Sequence, residues 1–147
     1  MLKISEPMPL YLLDTDHISL HQRGNPHIID HIRNVPEHEL AASIVSYEEQ
    51  LRGWLDVIRR LEQTPKLPLA YQSLREMQKY FCRLQLIDFN VQTEQIYQEL
   101  RKEYRRLGSM DLRIAASAMA ANAILVTRNQ RDFAQISGLI IQDWTSA

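Results

Sequence analysis

The chain has 147 residues, 45% hydrophobic and 24% charged, which allows one domain with a proper core, is too short for two, and excludes disorder. A formal net charge of −1 gives no bulk attraction to nucleic acid, so any such binding has to come from local basic patches. A single cysteine, Cys82, excludes an internal disulfide and leaves nothing pointing to secretion.

The first nine residues, Met1 to Pro9, carry Glu6 and two prolines and lack the apolar core of a signal peptide. Residues 10 to 13 then read as a short strand buried on both faces. His17 to Arg23 reads as a short helix interrupted by Gly24-Asn25-Pro26, and Pro26 suits the first turn of a helix to about Asn34. A second strand is expected over Glu39 to Val45, with Ser46 as N-cap of a long helix from Tyr47 to about Gln63. Along that helix Leu51, Leu55 and Ile58 recur at helical spacing. Thr64-Pro65 and Pro68 mark the bend into a further helix, Leu69 to Phe81, and Leu84 to Phe89 reads as a third strand.

The next segment is an amphipathic helix with Ile96, Leu100, Tyr104 and Leu107 on its apolar stripe and Arg101, Lys102, Arg105 and Arg106 largely off it. Gly108 is expected at its C′ position. Ser109-Met110-Asp111 starts a small-residue helix, Leu112 to Asn122, whose alanines permit close packing on a sheet. Ala123 to Thr127 and Gly138 to Gln142 complete a set of five strands. Strands alternating with helices predict a three-layer α/β/α sandwich around a mainly parallel sheet, in one domain over 1–147. The longest apolar stretch, 114 to 126, is shorter than the roughly 18 residues that suggest a membrane span. A cytoplasmic soluble protein is the expectation.

Acidic residues fall where several of these strands end: Asp14 and Asp16 after the first, Glu48 and Glu49 after the second, and Asp132 in the loop after the fourth, with Asp111 opening the helix that feeds that strand. In an open parallel sheet, strand C-termini converge on one ligand-binding crevice. Carboxylates gathered there repel one another by roughly 4 kcal/mol per close pair at an effective dielectric of about 20. A hard divalent ion such as Mg²⁺, which takes oxygen ligands, removes that cost. A metal site is therefore expected from the residues alone.

Four ordered blocks also resemble a known family: Leu12-Leu13-Asp14-Thr15-Asp16, Ile44 to Gly53, Met110-Asp111-Leu112-Arg113-Ile114-Ala115-Ala116, and Leu125 to Phe133. They look like the signature of PIN-domain nucleases, in size and order similar to VapC-type toxins of bacterial toxin–antitoxin pairs. The resemblance implies a pocket binding Mg²⁺ or Mn²⁺, hydrolysis of RNA, a small antitoxin partner and, commonly, a homodimer. By position Asp14 matches the first acid and Asp111 the third. Glu49 matches the second because it lies four residues before Gly53, although Gln50 stands where leucine is usual and Glu48 is adjacent. At the fourth position this chain has Asn129 where an acid is common, so either Asn129 or Asp132 fills it. Asp16 replaces the more usual asparagine. Thr15, Asp16, Thr127, Arg128, Arg131 and Arg113 are the expected substrate-binding residues. The bend between the Tyr47–Gln63 and Leu69–Phe81 helices is the expected docking place for the antitoxin.

Blander and competing readings stand beside this one. Asp14 and Asp111 are also plain helix-cap residues, and Glu48-Glu49 a solvated first-turn pair. The basic cluster at 101–106 fits a solvated helix face paired with Glu99 and Glu103. His17/His21 and His27/His31 have i,i+4 spacing but lack the other elements of a zinc site. Trp54 and Trp144 are expected at helix or sheet edges. A binding module whose acidic crevice holds a cation or basic peptide is the second function. A small-substrate phosphatase built on Asp14-Thr15-Asp16 is the third, weakened because no lysine follows Lys102.

Overall fold

A computed structural model describes residues 9–146; the reading of the first residues as lacking a signal sequence lies, except for Pro9, outside them. Five strands form one sheet in the order β3-β2-β1-β4-β5. They are β1 (Tyr11–Leu13), β2 (Leu40–Ser43), β3 (Gln85–Ile87), β4 (Ile124–Val126) and β5 (Ile141–Gln142), and all four pairings are parallel. The sheet is thus wholly parallel. Its first strand lies in the middle, and the chain builds outward on both sides of it, so the order reverses at the C-terminal ends of β2, β1 and β4. Ligand crevices of open α/β sheets form at such a reversal.

Two apolar clusters, one on each face, follow from the two-residue period of the strands. Leu12, Ala41 and Leu125 face α5 (Val91–Glu103) and α6 (Ser109–Ala120), with Leu100, Leu112, Ala115, Ala116 and Phe133 closing that layer. Leu13, Ala42 and Val126 face the opposite way, onto Ile18 of α1 (Thr15–Gln22), Ile28 of α2 (Pro26–Arg33) and Met77 and Phe81 of α4 (Leu67–Cys82). Ala115, Ala116 and Ala118 of α6 are buried, which lets its backbone approach the sheet closely. Gly24, at φ 84°, makes the left-handed turn between α1 and α2 that a side chain would strain. No helix among the described residues is long and apolar enough to cross a membrane.

Several boundaries differ from the sequence reading. β2 stops at Ser43, and the helix α3 (Ile44–Leu61) begins two β-branched residues before the expected Ser46 cap. Ser43 is the cap, its hydroxyl accepting from the Val45 amide at 3.0 Å. Leu55 of α3 is half-exposed, whereas Tyr47, Leu51 and Trp54 pack inward. α5 ends at Glu103 and a turn follows in which Leu107 N–H donates to Tyr104 C=O. Gly108 is therefore not a left-handed C′ residue: at φ −63°, ψ 147° it is the N-cap of α6, its carbonyl accepting from Leu112. Trp144, two residues past the edge strand β5, is buried and stacked on His31 with ring centres 5.3 Å apart.

Candidate active site

Asp14 leaves the end of β1 and caps α1, with Oδ1 accepting from the Thr15 amide at 2.8 Å. Its Oδ2 accepts from Thr127 Oγ1, also at 2.8 Å, across the seam between β1 and β4. The β1–β4 pairing continues past the strands, because Asp14 N–H donates to Val126 C=O. Asp14 is 6% exposed, and burial pushes its carboxyl up to about 7 from an ordinary 3.8. The negative charges of Asp16 and Asp111 add to that rise, against the pull of the Thr127 and Thr15 hydrogen bonds.

Glu49 enters from the second turn of α3. The helix starts at Ile44, so Ser46 and Glu49 share one face, and side chains lean back toward the helix N-terminus at the strand ends. Thr15 Oγ1 donates to Glu49 Oε1 at 3.1 Å and lies 3.0 Å from Ser46 Oγ. Burial raises the Glu49 pKa above its usual range, helped by the charges of Asp111 and Glu48 and opposed by the Thr15 hydrogen bond. Its neighbour Glu48 points elsewhere: it pairs with Arg52 at 2.6 Å and lines a separate groove. Asp111, in the first turn of α6, is half-buried and likewise raised, first by desolvation and then by Asp132 and Asp16.

Asp14, Thr15, Asp16, Ser19, Glu49, Asp111 and Asn129 line one open cavity of about 320 Å³, with no Lys, Arg or His among the residues that line it. Asn129 caps the short helix α7 (Gln130–Phe133), its Oδ1 accepting from the Asp132 amide and its Nδ2 donating to Asp132 Oδ2 at 3.1 Å. So Asn129 faces the cavity and Asp132 stands behind it, acting on Asp111 through charge. Thr127 and Thr15 direct their hydroxyl protons at carboxylates and so orient the acids themselves. Arg128, on the β4–α7 loop, and Arg131, in α7, are exposed, the Arg128 amide donating to Asp16 Oδ2 at 3.3 Å. Arg113 lies away from the cavity, with its guanidinium 5.4 Å from the Tyr97 ring centre.

Two contributors escape sequence reasoning. Ser46 looks like a cap, yet it is fully buried beside Thr15 and Glu49; the three-residue spacing to Glu49 is its only signal. His17, also fully buried, accepts the Trp144 amide at Nε2, which leaves Nδ1 to donate to Asp16 Oδ1 at 2.9 Å. Its ring thereby ties Asp16 to the strand-end segment after β5. His21 contacts Tyr80, and among the described residues no three His, Cys, Asp or Glu side chains form a ready-made metal cage.

The donor set fits a hard divalent cation. Every polar group presented is an oxygen or a side-chain amide, no cation neutralises the carboxylates from within, and three of them are raised partly by one another's charge.

A curated relative, ribonuclease VapC1 of Haemophilus influenzae, is 30% identical over 142 residues, covering 92% of this chain and 98% of that protein. The solved structure of VapBC-1 from nontypeable Haemophilus influenzae superposes with a TM-score of 0.74 at 29% identity, covering 93% of this chain and 99% of that one. VapBC2 from Rickettsia felis, solved bound to a DNA fragment from its promoter, gives 0.73 at 26% identity over 92% and 98%. Residues 11–139 match the model of the PIN domain. That match takes in every residue lining the acidic cavity, and this chain belongs to the PIN-domain family.

Proposed function

We propose that this chain is a divalent-metal-dependent endoribonuclease, the toxin half of a toxin–antitoxin pair, acting on RNA in the cytoplasm. Ribonuclease activity and an antitoxin partner are properties of the VapC and VapBC relatives. The observation that carries the metal and site assignments is the convergence of Asp14, Glu49 and Asp111, from three separate segments of chain, on a cavity lined by no cationic side chain. Asp14, Glu49 and Asp111 are the metal ligands in this reading, with Asn129 as a fourth contact and Asp132 supporting it.

Asp14, Glu49 and Asp111 would hold Mg²⁺ or Mn²⁺, which would supply acidification of a water and neutralisation of charge at the phosphate. The chain's own residues do the rest. Thr127 and the Thr15 amide hold the two Asp14 oxygens, so the carboxylate enters the cavity in one orientation. Thr15, whose hydroxyl also lies against Ser46, holds Glu49 at the cavity, where its carboxylate orients the attacking water. Asp16, pinned by His17 and the Arg128 amide, keeps the rim of the cavity acidic. Exposed Arg128 on the adjacent loop and Arg131 on α7 meet phosphates beside the scissile bond in this reading.

A protein partner finds exposed Leu55, Leu69 and Tyr71 on or beside the α3–α4 hairpin, which supports the antitoxin docking there. A metal-binding module without catalysis is the second reading, favoured only by the amide of Asn129 at the fourth position. The experiment is incubation of the purified protein with structured and unstructured RNA, in Mn²⁺ or in EDTA, alongside Asp111→Asn. Cleavage that needs the ion and is lost in the variant supports the nuclease. Ion binding with no cleavage of any RNA favours the module, and p-nitrophenyl phosphate turnover the phosphatase.

A further inference from the structure

Beside the acidic cavity runs a groove of about 540 Å³ between the start of α3 and the facing surfaces of α5 and α6. The two hollows share their walls: α3 gives Glu49 to one and Glu48 to the other, and α6 gives Asp111 to one and Arg113 to the other. Inside the groove Arg101 and Arg113 both set their guanidinium carbons over the Tyr97 ring, at 5.5 and 5.4 Å from its centre. Two like charges on one ring need a reason, because each repels the other.

None is supplied from within the chain. The groove's carboxylates are engaged elsewhere: Glu48 pairs with Arg52, and Glu94 accepts from the Gln98 amide. Among the described residues neither Arg101 nor Arg113 has a carboxylate within ion-pairing distance. Stacking on Tyr97 holds the two planar forks in place; Arg113 Nη1 also donates to Met110 Sδ at 3.3 Å, which leaves its other N–H groups and those of Arg101 without a carboxylate partner, the form in which arginine binds phosphate. Partly exposed Phe89, edge-on to Tyr97, offers an aromatic face of the kind on which bases stack.

An RNA strand whose scissile phosphate sits in the acidic cavity meets repulsion there and needs its neighbouring phosphates held nearby. Resting on the ribonuclease reading, we propose that the Arg101–Tyr97–Arg113 groove is a phosphate-binding track for the RNA strand flanking the cut. Arg101 and Arg113 each contact a backbone phosphate in this arrangement, and Phe89 stacks on a base. The track binds single-stranded RNA without reading its sequence through these arginines, since phosphates carry none.

The test uses Asp111→Asn as a parent that does not cut, with a fluorescently labelled single-stranded RNA and anisotropy read across a series of NaCl concentrations. Arg101→Gln and Arg113→Gln should each weaken binding by roughly tenfold or more, the scale of a charge-assisted hydrogen bond. Each should also lower the slope of log affinity against log salt by about 0.7, one released counterion per phosphate contact. Arg101→Lys should keep that slope, and Arg75→Gln, on α4 across the sheet, should alter neither quantity. Should Arg113→Gln fail to fold, exposed Arg101 carries the test alone. If the parent binds RNA and the wild type cuts it, yet both glutamine variants keep the parental affinity and slope, the track is refuted and the ribonuclease stands. If the variants instead change only the oligomeric state by light scattering, the groove is an interface between copies and the proposal is overturned. If the parent binds no RNA and the wild type cuts none, both readings fall together.

Discussion

Replacing Asp14 by asparagine should abolish cleavage and yet stabilise the metal-free fold. The Asp14 carboxyl has a folded-state pKa of about 7 against 3.8 unfolded. At pH 8 the folded chain must hold an ionised group that its surroundings disfavour, a destabilisation of about 4 kcal/mol. Asparagine removes the charge and keeps the Thr15 N–H bond, but its amide nitrogen cannot accept the Thr127 hydroxyl proton. Losing that buried bond offsets about 2 kcal/mol, leaving a net gain of about 2. For a chain of this size the gain is about 4–8 °C in Tm, measured in EDTA at pH 8 by circular dichroism. The sign follows from linkage: with a raised folded pKa, the Asp14 contribution to stability is fully present below the unfolded value of 3.8 and is lost as pH rises through about 7. The advantage of the variant should therefore shrink toward pH 4. Added Mn²⁺ should raise the Tm of the wild type and not that of the variant. An Asp14→Asn chain that melts below the wild type at pH 8, with a gap independent of pH, would refute the reasoning.

Other substitutions probe the same architecture. Glu49→Gln should lower kcat by at least tenfold, whereas Glu48→Gln, which loses only an exposed pair with Arg52, should stay within about twofold of wild type in single-turnover assays. His17→Leu leaves the Trp144 amide and Asp16 without their buried partner and should cost about 2–4 kcal/mol in urea unfolding. Leu12→Ala, in the middle of the central strand, should cost about 2–5 kcal/mol with the apparent metal affinity of any remaining folded protein unchanged.

How much of this could be read from the chain depends on how local each signal is. The five strands, their parallel order of succession and the acids at their ends were legible because short apolar runs ending in Asp or Glu carry their own punctuation. The start of α3 was not, since Ile44 and Val45 favour a strand by propensity and only the Ser43 hydroxyl, accepting from Val45, turns them into a helix. That shift matters at the site, because the register it sets puts Glu49 beside Thr15 and sends Glu48 to the neighbouring groove. Gly108 invited a C′ assignment by residue type, yet α5 had already ended at Glu103. Arg113 sits two residues from Asp111 in sequence but about 200° around the helix, which takes it out of the acidic cavity. Bonds between distant segments, such as Thr127 to Asp14 or His17 to Trp144, have no sequence signal at all; they exist because the sheet brings β1, β4 and β5 together.

Manganese anomalous diffraction from a crystal of the purified chain puts the central idea to its most direct trial. A peak bonded to oxygens of Asp14, Glu49 and Asp111 is the predicted result. Manganese absent from that cavity at millimolar concentration, or bound at a site that excludes all three carboxylates, would contradict it.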